Sequence, residues 1–84
     1  MVTKERMEQI ESYIAWWSQG LSQSAENRTR LLHFKEIGLS MTDETGADLI
    51  SDRIMEEDRA TQSWHRGLTY AQSLLGRAQA GEDV

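Results

Sequence analysis

Apolar side chains recur along the first part of the chain at alternating steps of three and four residues. That spacing places them on one face of an α-helix. The pattern predicts a helix over roughly residues 3–37, either continuous or broken near Gly20 or around Ser22-Gln23-Ser24, because glycine costs a helix about 1 kcal/mol relative to alanine. The face turns polar halfway, and its members are Met7, Ile10, Ile14, Trp17, Leu21, Ser24, Arg28, Leu31 and Lys35.

A second seam with the same alternation occupies the other half of the chain and predicts a helix over roughly residues 42–79. Gly38 suits the left-handed position after the first helix, and Ser40, Thr42 or Asp43 can cap the second. Residues 80–84 are expected to fray. The seam consists of Ala47, Ile50, Ile54, Glu57, Thr61, Trp64, Leu68, Ala71, Leu75 and Ala78.

Two long helices joined by one turn predict an all-α fold, an antiparallel helical hairpin that forms a single domain over residues 1–84. Folding at Gly38 pairs positions whose numbers sum to about 81, so Trp17 lies opposite Trp64. Arg28 then falls near Glu57, and an ion pair between them would fix the register. Alternatively, Arg28 extends its guanidinium into water.

The motif Trp-x-x-Gly-Leu followed by Ser or Thr occurs twice, beginning at Trp17 and at Trp64. A duplicated arm is one interpretation, although the flanking sequences give it little support. Each tryptophan lies four residues before a leucine on its own seam, and helix packing alone accounts for that spacing.

A second apolar face adjoins the first and carries more aromatic surface than one hairpin can cover. Such patches usually mark an interface. We therefore predict a homodimer, a four-helix bundle whose interface contains this face. The alternatives are a different protein anchored by Trp16, or a monomer of three or four shorter helices that buries it. The face comprises Tyr13, Trp16, Tyr70 and Leu74.

Composition narrows the range of functions. The 84 residues carry a net charge of −5 and include no cysteine and no proline. An acidic chain has no broad electrostatic attraction to nucleic acid or to an anionic membrane, so neither is an expected partner. No signal-peptide pattern or membrane-length apolar run is present, and we expect a cytoplasmic protein.

Catalytic motifs are incomplete in this sequence. Glu5, Glu8 and Glu11 form a ladder similar to half of the carboxylate motif of all-α nucleotide pyrophosphohydrolases, but no Glu-x-x-Asp follows on the second helix. Neither His33 nor His65 has the glutamate three residues earlier that di-metal bundles use. We therefore expect no catalytic residues, no metal site and no cofactor.

Acidic residues recur every four positions at the start of the second predicted helix, and would form one stripe. A stripe of this kind can dock on a basic partner surface. It can also be an ordinary solvated face, or bind a divalent metal weakly. The sequence thus favours a small non-enzymatic regulator or inhibitor, from a phage or other mobile element; the alternative is a structural dimer. The stripe is Glu44, Asp48, Asp52 and Glu56.

Overall fold

The protein is a hairpin of two long helices in a computed structural model that describes residues 2–84. Helix α1 spans Lys4–Glu36 and helix α2 spans Leu49–Gln79, and the two pack against each other along their length. The molecule measures 57 × 22 × 16 Å. The predicted all-α hairpin is confirmed.

Helix α1 is continuous, which decides between the two predictions for this half of the chain. At its start, the Thr3 hydroxyl accepts a hydrogen bond from the backbone N–H of Arg6 at 3.1 Å. At its end, Gly38 adopts a positive φ of 78°, and the N–H of Leu39 donates to the carbonyl of Phe34 at 2.9 Å. Gly20 lies inside the helix without interrupting it.

Helix α2 begins at Leu49, so the predicted start near residue 42 is wrong. Asp48 is the cap that the helix uses: its carboxylate accepts hydrogen bonds from the N–H groups of Ile50 and Ser51 at 3.0 and 3.1 Å. Gly46 has a φ of +85°, which no right-handed helix contains. Residues 37–48 therefore form a turn that is longer than expected.

The Asp43 carboxylate organises the tip of this turn. It accepts hydrogen bonds from the N–H and hydroxyl of Thr45 and from the N–H of Ala47, at distances between 2.6 and 3.0 Å. The N–H of Leu49 also donates to the carbonyl of Met41 at 2.9 Å. The hydrogen bonds of Asp43 thus hold the turn in a non-helical conformation, and for that reason Asp43 does not cap a helix.

The core lies along the two predicted seams, whose apolar members are buried or half-buried. Ile10 has no exposed surface and packs with Leu74 and Ala78 at the open end of the hairpin. Val84 packs against this cluster, and its carbonyl accepts a hydrogen bond from Arg6 Nε at 3.0 Å. Residues 80–84, for which we predicted fraying, fold back onto the helices through this contact.

Acid is expected to weaken the turn through the carboxylates of Asp43 and Asp48. The Thr45 hydroxyl lowers the pKa of Asp43 below its usual 3.8, and the Ser51 hydroxyl does the same for Asp48. Because both values are lower in the folded chain, the stabilisation is complete above pH 3.8 and is lost as the pH falls through the folded values. The test is the urea midpoint, followed from neutral pH to about pH 3.

In that titration, the variant Asp43→Asn/Asp48→Asn is expected to lose less stability than the wild-type chain. Asparagine keeps an acceptor oxygen for the caps but does not titrate. The variant Asp52→Asn/Glu56→Gln is the matched control, because it removes two exposed carboxylates of α2 that make none of the hydrogen bonds of Asp43 and Asp48. Equal acid sensitivity of the two variants would contradict a special role for the turn.

Across residues 2–84, neither helix has an apolar stretch long enough to cross a membrane.

Candidate functional site

Three tryptophans meet at the middle of the hairpin. The Trp17 ring centroid lies 5.3 Å from that of Trp64, and Trp16 lies 4.9 Å from Trp17 and 4.8 Å from Trp64. Their planes cross at 66–73°, the edge-to-face arrangement that aromatic quadrupoles favour. The predicted proximity of Trp17 and Trp64 is confirmed, and Trp16 joins them.

The repeated Trp-x-x-Gly motif has a structural reason that its spacing did not reveal. The Trp17 ring covers Gly67 on the opposite helix, and the Trp64 ring covers Gly20. A Cβ atom at either glycine would overlap the ring above it. Each motif therefore supplies both a ring and the gap that receives the other ring.

These two contacts define the register of the hairpin. Trp17 faces Gly67 and Gly20 faces Trp64, so the facing positions sum to 84 instead of the predicted 81. The difference is three residues, close to one helical turn. It arises because flat indole rings fit over glycine, whereas the predicted register placed Trp17 directly opposite Trp64.

A groove runs beside this tryptophan layer, between the two helices, and has a volume of about 750 Å³. Trp16 is 57% exposed, Tyr70 65% and Tyr13 43%, an unusual amount of aromatic surface for so short a chain. Arg6 lies at the rim, with its guanidinium carbon 6.0 Å from the centre of the Tyr13 ring. The groove is lined by Arg6, Ser12, Tyr13, Trp16, Trp17, Tyr70, Ala71 and Leu74.

All four residues predicted for the second apolar face line this one groove. They divide into two roles, however, because Leu74 is only 7% exposed and belongs to the core beside Ile10. Leu74 therefore forms the floor, whereas Tyr13, Trp16 and Tyr70 present their rings to solvent. Trp17 and Ala71, which we assigned only to the seam, also reach the groove.

The predicted acidic stripe is not a continuous feature of one helix. Glu44 lies in the turn, and Asp48 is the cap of α2 with its carboxylate engaged by Ile50 and Ser51. Asp52 and Glu56 are exposed on α2, and Glu56 pairs with Arg53 at 2.8 Å. The reason is the late start of α2, since the spacing of four forms a stripe only within a helix.

A buried polar layer crosses the hairpin between the tryptophans and the turn. The Ser24 hydroxyl donates to a Glu57 carboxylate oxygen at 3.0 Å and lies 2.9 Å from the hydroxyl of Thr61. Arg53 pairs with the other Glu57 oxygen at 3.1 Å. These partners satisfy a carboxylate that would otherwise be costly to bury.

The proposed ion pair between Arg28 and Glu57 does not form. Arg28 Nε instead contacts Asp58 Oδ1 at 2.5 Å, in a half-exposed pair. Glu57 faces the seam, and its carboxylate is already bonded to Ser24 and Arg53. Asp58, the next residue around the helix, lies nearer solvent, where Arg28 reaches it. The polar layer that we predicted is present, but its partners are different.

Among residues 2–84, no three histidine, aspartate or glutamate side chains converge in an arrangement that could hold a metal ion. Comparisons with protein-family models, curated proteins and solved structures found no match for this chain.

Proposed function

We propose that this is a small non-enzymatic cytoplasmic protein that acts by binding another protein with a basic surface, and that the turn end of the hairpin makes the contact. The distribution of charge carries this proposal. The ionised side chains of α1 sum to zero, and so do those of α2. The net charge of −5 thus resides in the turn, which contributes −3, and in the C-terminal tail, which contributes −2.

Exposed apolar side chains accompany this charge. Ile37, Leu39 and Met41 of the turn are all largely exposed. A surface that combines acidic and apolar groups complements one that combines basic and apolar groups. The hydrogen bonds made by Asp43 order the turn before any contact, which reduces the entropy lost on binding.

This proposal moves the predicted acidic contact from a helical stripe to the turn and the first part of α2. Glu44, Asp52 and Glu56 are exposed there, whereas Asp48 has a structural task as a cap. The small size of the chain suits a regulator or inhibitor, from a phage or other mobile element, that occupies a partner's surface.

The experiment compares affinity capture from cells that carry the gene, using the wild-type chain and Glu44→Gln/Asp52→Asn/Glu56→Gln. The wild-type chain is expected to retain a protein with a basic surface, and to release it at high salt because the attraction is screened. The triple variant is expected to lose that protein.

The matched control is Glu5→Gln/Glu8→Gln/Glu11→Gln, which changes the net charge by the same amount on the exposed surface of the open end. It is expected to capture the partner as the wild-type chain does. If all three chains retain the same proteins, the acidic turn end has no part in recognition.

The aromatic groove supports a second candidate function, that of a structural homodimer in which acidity serves only solubility. Exposed Trp16, Tyr13 and Tyr70 form a contiguous apolar surface over a buried floor. The core of the hairpin alone is small, since Ile10 is the one large side chain among residues 2–84 with no exposed surface. Helical chains of this length commonly complete such a core by self-association.

A further inference from the structure

We infer that the aromatic groove receives a second copy of this chain, packed antiparallel, with the two-fold axis beside Trp16. The turn of each copy then lies over the open end of the other. This inference rests on the self-association proposed above and adds its geometry. Three features support it: the position of the groove, the area of the face and the distribution of charge.

The groove lies on the open-end side of the hairpin and reaches towards its centre at Trp16 and Trp17. The middle residue of α1 is Gly20 and the middle residue of α2 is Trp64, so Trp16 lies about one helical turn from the centre. A two-fold interface places the same patch of both copies on the axis. An axis beside Trp16 consequently superposes the two faces over most of their length, whereas an axis near either end would superpose only a small part of them.

The face that carries the groove is large enough for a stable dimer. Its dimensions of 57 by 22 Å give a footprint of about 1250 Å². Specific protein interfaces bury about 800 Å² on each partner. With the axis one turn from the centre, the shared length is about 46 Å and the shared footprint roughly 1000 Å², which still exceeds this requirement. Tyr13, Trp16 and Tyr70 of both copies then meet near the axis, where the strongest contacts of an interface usually lie.

Charge selects the antiparallel orientation. Residues 21–63, the half that contains the turn, carry −4, whereas the remaining residues carry −1. Parallel stacking would place the two −4 halves together and would be opposed by their repulsion. Within α2 the asymmetry is sharper: its charges sum to −2 before Trp64 and to +2 after it, through Arg66 and Arg77. Antiparallel stacking brings the negatively charged half of α2 in one copy beside the positively charged half of α2 in the other copy.

The first test is the mass of the wild-type chain by sedimentation at micromolar concentration, which is expected to be that of a dimer. Trp16→Ala and Tyr70→Ala are each expected to raise the dimer dissociation constant by at least about tenfold while keeping the helical circular dichroism. Met55→Ala is the control, because Met55 is about as exposed as Trp16 but lies on α2 outside the groove. It is expected to leave the dissociation constant unchanged.

The second test measures orientation. The chain has no cysteine, so one introduced cysteine gives a single site for a spin label. We use Ser40→Cys in the turn and Gln79→Cys at the end of α2, both at exposed positions. In the antiparallel dimer, two labels at position 40 are expected about 60 Å or more apart, twice the roughly 30 Å of helix between Trp16 and Glu36. Mixed dimers with one label at each position are expected to show about 20 Å, two helix layers.

The outcomes are distinct. A dimer whose two position-40 labels are about 20 Å apart would overturn the antiparallel arrangement and leave self-association intact. A dimer that both Trp16→Ala and Tyr70→Ala leave unaffected would place the interface elsewhere. A monomeric mass for the wild-type chain would refute self-association itself. None of these results bears on the proposed contact between the acidic turn end and a basic partner. The charge variants described under the proposed function test that contact separately.

Discussion

Replacing Gly67 by alanine is expected to lower the free energy of unfolding by about 1–3 kcal/mol, the usual cost of forcing extra atoms into a packed site. The added methyl group would overlap the Trp17 ring, so that the ring would have to leave its edge-to-face contacts with Trp16 and Trp64 to admit it. Gly20→Ala is expected to have a similar effect through Trp64. The measurement is equilibrium unfolding in urea at one chain concentration.

Gly76→Ala is the matched control for this prediction. Gly76 also lies within α2, but nothing approaches the position of its missing Cβ. Alanine there is expected to stabilise the protein by about 0.5–1 kcal/mol, the difference in helix propensity. If Gly67→Ala were also stabilising, the Trp17 ring would not be held over Gly67, and the reciprocal packing would be wrong.

Replacing Trp17 by alanine is expected to cost about 2–3 kcal/mol of unfolding free energy. Fully buried tryptophans cost about 3–5 kcal/mol, and the half-buried position of Trp17 lowers that expectation. The change removes the ring that covers Gly67 and its edge-to-face contact with Trp64. It leaves a gap over Gly67, which has no side chain of its own to fill it.

Trp16→Ala is the comparison for Trp17→Ala, since the two residues are adjacent and chemically identical. Because Trp16 is more exposed, its removal is expected to cost less within one hairpin. Unfolding at several chain concentrations separates that cost from any contribution of self-association, which makes stability depend on concentration. If Trp16→Ala cost as much as Trp17→Ala at every concentration, both rings would have to be packed equally deeply.

The features that could be predicted from the sequence follow local periodicity. The alternating steps of three and four identify both helices and their inner faces, and they separate Trp17 from Trp16. They also place Tyr13, Trp16 and Tyr70 together, since residues on one side of two antiparallel helices share a groove. The start of α2 was not predictable in this way, because Thr42, Asp43 and Asp48 are all competent caps and the choice depends on how the whole turn closes.

The sequence by itself thus determined that the chain forms two amphipathic helices, that they fold into a hairpin, and which side chains form its aromatic face. Only the tertiary structure decided the register, the partners of Arg28 and Glu57, and the purpose of the repeated glycines. The physical reason is that amphipathic periodicity depends on one helix alone. The register depends on how a ring on one helix fits over a glycine on the other, and that fit exists only once the two helices are packed together.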